Sequence, residues 1–130
     1  MELKNKRYEN IGIHVLSTIF TVDKGKIKIL LVKRTNEPFK DFWALPSGAL
    51  YNDELLCDGA KRELKEKTGI TGIDLDFSAV FDDIKRSELK RMIGISFIGV
   101  ININGLELQK ETLKTSNADF FEIGNIPKLA

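Results

Sequence analysis

Residues Gly48 to Ile70 read GALYNDELLCDGAKRELKEKTGI. Leu56, Ala60 and Leu64 recur at four-residue spacing, while Lys61–Glu63 and Lys65–Lys67 are charged. That pattern predicts a helix over Leu55–Thr68 that buries Leu56, Ala60 and Leu64. Asn52 or Asp53 can cap its first turn, and Gly69 stands where a left-handed C′ residue belongs. Residues three and four apart share a helix face, so Glu63, Glu66 and Lys67 are expected together on one polar face. Carboxylates converging there repel one another unless a cation lies between them. A hard divalent ion with oxygen ligands, Mg2+ or Mn2+, is the natural occupant. The same residues also suit a plain solvated face, in which Glu63 and Lys67 form an i,i+4 surface pair.

Upstream, Ile11–Val22 is rich in Ile, Val, Thr and Phe and reads as a long strand. Ile27–Arg34 reads as a second, and Asp23-Lys24-Gly25-Lys26 supplies the turn of a hairpin. A loop runs from Thr35 to Asp41, and Phe42–Leu45 is a short apolar piece that stops at a turn, Pro46-Ser47-Gly48. Downstream, Ile73–Ile84, Met92–Ile103 and Asp119–Ile123 read as strands, separated by the polar Lys85–Arg91 and the loop around Gly105. The chain is thus β-rich with one internal helix and lacks regular βαβ alternation. That order predicts an α+β fold with a mixed sheet.

The 130 residues suffice for one domain. Twenty basic residues against nineteen acidic leave +1, so bulk charge gives no reason to expect nucleic-acid binding. The single cysteine, Cys57, excludes an internal disulfide framework and a cysteine-based zinc site, and it fits a cytoplasmic location. Met1 to Asn10 is too polar for a signal peptide, and Ile93–Ile103 is about half the length that spans a bilayer, so no membrane insertion is expected.

Gly48, Glu54, Arg62, Glu63, Leu64, Glu66, Gly69 and Ile70 stand in the register of the Nudix box, which the segment resembles. The family pattern has a second Glu where Lys67 stands, and usually a Gly where Ser47 stands. The flanks LLVKR (Leu30–Arg34) and PFKDFWALPSG (Pro38–Gly48) are similar to ADP-ribose pyrophosphatases of that superfamily. They are equally similar to the Nudix-like sensor domains of bacterial transcription regulators. Phe120–Pro127 matches the family's last strand and turn, so residues 1–130 are expected to form a single Nudix domain.

The resemblance implies a mixed sheet in an α/β/α sandwich and a divalent-metal-dependent hydrolase of a nucleoside diphosphate linked to another moiety, such as ADP-ribose. The alternative it implies is a catalytically weak or inactive ligand-sensing domain. Glu63, Glu66 and Arg62 would be catalytic, and Glu63, Glu66 and Glu54 would hold the metal. Arg34, Trp43, Gly48 and Arg86 would bind substrate. Because Lys67 places a cation beside the ion and removes two ligand oxygens, binding of Mg2+ or Mn2+ is expected to be weak. Asp82, Asp83 and Glu88 are the candidates to replace the missing carboxylate.

Several residues keep two readings. Trp43 and Phe39 can stack on a base or anchor the core. Lys85, Arg86, Lys90 and Arg91 can meet a diphosphate or form a solvated tip. His14 reads as a packed or edge strand residue in preference to a catalytic one, and Cys57 as a small packing residue. A homodimer is expected, from the family and from the long strand Ile11–Val22, whose edge would need covering. Ile93–Ile103 carries apolar residues on both faces, and only three residues follow Pro127. A C-terminal helix of the fold is therefore expected to be missing and one sheet face under-covered. Nucleic acid becomes a partner only if a C-terminal DNA-binding domain is missing too.

Overall fold

The computed structural model describes residues 7, 11–84, 90–104, 106, 108 and 115–129. In chain order these form β1 (Gly12–Asp23), β2 (Lys26–Arg34), β3 (Trp43–Ala44), β4 (Ser47–Ala49), α1 (Leu56–Thr68), β5 (Asp76–Phe81), β6 (Met92–Val100) and β7 (Thr115–Glu122). A short 3-10 turn, Ile123–Asn125, follows. All seven strands join one sheet in the path β3-β2-β1-β6-β5, with β4 paired to β1 and β7 to β2. The sheet is mixed: β1 and β6 run parallel, and the other pairs are antiparallel. With α1 packed on one face, the architecture is the expected α+β arrangement. Among the described residues α1 is the only α-helix, and no helix is long and apolar enough to cross a membrane.

The β1–β2 hairpin turns on Lys24 (φ 52°) and Gly25 (φ 77°), two successive left-handed residues whose twist matches the strands they join. β2 pairs only with the end of β1, from Phe20 to Asp23. The other half of that β1 edge is therefore open, and β4 fills it with His14↔Ala49, Val15↔Gly48 and Leu16↔Ser47. Pro46-Ser47-Gly48, expected to be a turn, is thus largely strand. Backbone bonds from Ser17 N to Pro46 O and from Leu50 N to Ile13 O, both 2.9 Å, fix it at its two ends. β1 itself lies in the middle of the sheet, so the edge that motivated a dimer is covered within one chain. The remaining strands keep their expected places with trimmed or extended ends.

Strand alternation sends Val15, Ile19, Leu30, Ile95 and Phe97 toward α1, where Ala60 and Leu64 complete the core with Ile70, Ile73 and Leu75. The helix differs from its expected form in two respects. It starts at Leu56, so the N-cap place falls on Leu55, and neither Asn52 nor Asp53 caps it. Its inner stripe is Gly59, Ala60, Glu63, Leu64 and Thr68, whereas Leu56 is exposed. A four-residue step turns about 400° around the axis, so a 56–60–64 series drifts about 40° each time and its first member leaves the core. At the other end Gly69 takes φ 79° and its N–H reaches Lys65 O at 2.8 Å, the expected left-handed close. The face opposite α1 is partly covered: Leu31 is buried, and Leu16, Ile29, Ile126 and Leu129 line an apolar cavity of about 330 Å³. Val22, Ile27 and Val100 remain exposed on that face.

Candidate functional site

β4 and the turn after it lie against one side of α1, and Arg62 joins the two. Its five N–H groups all have acceptors. Nε and Nη2 grip Glu54 at 2.9 and 2.7 Å, and Nη2 also reaches the Ala49 carbonyl at 2.9 Å. Nη1 donates to Glu63 at 2.7 Å and to Glu66 at 3.4 Å. The Tyr51 ring stacks on the guanidinium at 3.7 Å, and Tyr51 N donates to Glu54 at 2.9 Å. The fork-on-carboxylate geometry is one that lysine does not reproduce. These bonds to Arg62 hold the Glu54 carboxyl down at about 2, well below its ordinary 4.5, and the Arg62 guanidinium is raised in turn.

Glu63 is almost wholly buried although every charge pattern along α1 suggests exposure. The sheet makes room for it at Gly48, where a Cβ would collide with all three terminal atoms of the Glu63 carboxyl. The glycine of the box is therefore needed for close approach. Lys67, one turn on, lies 3.5 Å from Glu63 Oε2 and donates to the Ser47 carbonyl. Glu66 is the most exposed of the carboxylates, at 40% of its side chain.

Glu54, Glu63, Glu66 and Arg62 thus converge as anticipated, and Gly48 underlies them. Two other expected residues stand apart. Arg34 closes the Thr35–Asp41 loop through Nε to Pro38 O at 3.0 Å, and with Lys67 it lines a cavity of about 180 Å³. Trp43 packs edge-on against Phe121 at 4.8 Å, on the sheet face away from α1. Its anchoring reading fits that position. Arg86, Lys85 and Glu88 lie outside the described residues. Asp82 and Asp83 follow β5 in an exposed segment. His14 and Tyr51 line a separate cavity of about 670 Å³ beside Glu54, a volume within the usual small-molecule range. Tyr51 has no signal in helical or strand periodicity, since it lies in the connection between β4 and α1.

As arranged, these side chains do not fit a divalent ion. Among the described residues no group of three or more His, Cys, Asp or Glu side chains could hold one. Three carboxylates meet two cations here, for a local charge of −1, whereas a carboxylate at position 67 would make it −3. An ion between Glu63 and Glu66 has to displace Arg62 from both and meets the Lys67 ammonium.

A family model described as the NUDIX domain matches residues 13–123. The chain belongs to the NUDIX family. This NUDIX chain is 38% identical over 125 residues to an ADP-ribose pyrophosphatase of Methanocaldococcus jannaschii, covering 96% of this chain and 72% of that one. It is also 38% identical over 93 residues to the ADPR responsive transcriptional repressor NtrR of Acinetobacter baylyi. There the match covers 70% of this chain and only 37% of the repressor. In fold it is similar to the NUDIX domain of Shewanella oneidensis NrtR solved with ADP ribose, with a TM-score of 0.82 at 22% identity over 92% of this chain and 78% of that one.

Proposed function

We propose that this NUDIX chain recognises a nucleoside diphosphate of the ADP-ribose class at the face where β4 meets α1. The names of both curated relatives support that ligand class. Two readings share it. Metal-dependent hydrolysis is favoured by the pyrophosphatase relative and by the retained Glu54, Arg62, Glu63 and Glu66. Ligand sensing with little turnover is favoured by the position of Lys67, whose ammonium stands 3.5 Å from Glu63 where the family pattern has a carboxylate. The second reading suits the geometry better, and Lys67 is the observation that carries it. Under either reading Arg62 orients Glu63 and ties the loop to the helix.

One experiment separates them. Formation of the nucleoside monophosphate is measured from ADP-ribose and related nucleotide sugars with Mg2+ or Mn2+, alongside the ligand-induced rise in melting temperature. A ligand at a hundredfold excess over its Kd stabilises by about 2.7 kcal/mol, which melting detects. A melting shift without turnover supports sensing. Turnover at ordinary enzyme rates overturns it in favour of hydrolysis, and neither signal removes the ligand class.

A further inference from the structure

The cavity between the end of α1 and the end of β2 has an unusual wall. Arg34 and Lys67 both line it, together with Thr35, Asn36, Ser47 and Thr115, and none of its lining residues is acidic. Its volume of about 180 Å³ is below the ~300 Å³ at which small-molecule sites begin and equals roughly six water volumes. That is room for one fragment of a ligand, on the scale of a phosphoryl group.

Three features of the wall point to an anion. Arg34 donates through Nε to Pro38 O, and its Nη groups make no hydrogen bond among the described residues. Thr35 Oγ1 is buried and likewise has no hydrogen-bond partner among the described residues. A buried hydroxyl without a partner is destabilising, and a phosphate oxygen accepting from it would remove that cost. Lys67 is held in place at both ends, since Thr115 Oγ1 donates to its carbonyl at 3.3 Å and its ammonium donates to Ser47 O beside Glu63. A fixed ammonium pays little ordering entropy when an anion arrives.

We propose that Lys67 and Arg34 form a built-in phosphate subsite, in which the Lys67 ammonium supplies the positive charge that a divalent ion would otherwise bring. The chain then binds the diphosphate of its ligand without metal. This rests on the ligand class proposed above. Position 67 is thereby a gain of a cation as well as the loss of a carboxylate.

The test is isothermal titration in EDTA, then with Mg2+ or Mn2+, using ADP-ribose and, separately, inorganic pyrophosphate. The wild type is expected to bind both in EDTA, with affinity changing less than twofold when the ion is added. Lys67→Met and Arg34→Met are each expected to weaken binding at least tenfold, while Lys67→Arg retains it. Melting curves without ligand check that each variant is folded, and Arg34→Met keeps the test decisive if Lys67→Met is not. Binding of ADP-ribose only with the ion overturns the subsite and leaves the ligand class standing. Binding of pyrophosphate but not ADP-ribose in EDTA supports the subsite and overturns the ligand class. Unchanged affinity in both methionine variants overturns the subsite.

Discussion

Gly48→Ala adds one methyl group at the most crowded point of the candidate site. Gly48 is in ordinary strand conformation within β4, so no backbone strain is involved. What opposes the methyl is the Glu63 carboxyl, whose Cδ and both oxygens lie where the new Cβ must go. Glu63 cannot swing aside cheaply, because it is 2% exposed and held by Arg62 at 2.7 Å and Lys67 at 3.5 Å. If β4 moves instead, the cost is that of overpacking, about 1–3 kcal/mol. If the carboxyl moves, a buried ion pair breaks, at about 3–5 kcal/mol. The chain takes the cheaper route, so about 2–3 kcal/mol is expected, or a melting temperature lower by roughly 10 °C for a chain of this size. Urea unfolding gives the difference, and a Glu63→Ser background gives its cause. There the methyl meets a short side chain, and Gly48→Ala should cost under about 0.5 kcal/mol, a coupling of about 2 kcal/mol between the sites. Equal costs in both backgrounds would refute the close-approach argument.

Arg62→Lys removes the fork on Glu54 and the bond to Ala49 O, and should destabilise by about 2–4 kcal/mol in urea, whereas wild-type stability would mean the loop is held by other contacts. Glu54 has a folded pKa of about 2 against an ordinary 4.5, so the stability it contributes is full above about pH 4.5 and lost as pH falls toward 2. The stability gap between wild type and Glu54→Gln, measured by urea midpoints down to about pH 3, should therefore shrink on acidification. Lys67→Glu takes the local charge from −1 to −3 and should raise Mn2+ affinity, read by titration; equal affinity would place position 67 outside any ion site. A two-fold dimer is expected on light scattering, now through β5, whose outer edge is unpaired among the described residues and carries exposed Phe77, Val80 and Phe81. A monomer mass across the micromolar range would count against it.

The helix, the hairpin and the convergence of Glu54, Arg62, Glu63 and Glu66 were legible because each is local. A 3.6-residue period, a Lys-Gly turn and fixed spacings within twenty-three residues all act over short stretches of chain. β4 was hidden because Ser47, Gly48 and Ala49 carry no strand propensity. Their pairing is imposed by an open stretch of β1 more than thirty residues away. The burial of Glu63 was hidden for a related reason, since a glutamate among charges reads as solvated until the Gly48 backbone is known to lie over it. The polar start of β7, Thr115 to Asn117, joins the sheet against the end of β2 and lacks alternation of its own.

The parallel pairing of β1 with β6 sets the timing of folding. Gly12 lies opposite Met92, eighty residues along the chain, and the register continues through Phe20↔Val100. Closing a loop of that length costs about 4 kcal/mol in chain entropy before any contact repays it. The β1–β2 hairpin forms on a scale of about 1–10 μs, and β4 docks on β1 across a much shorter loop. The Arg62 cluster can thus assemble on a partial sheet while β6 is still searching for its place. Closure by β6 is then the slow step, and variants at Ile95 or Phe97 should slow refolding more than variants around Arg62 do.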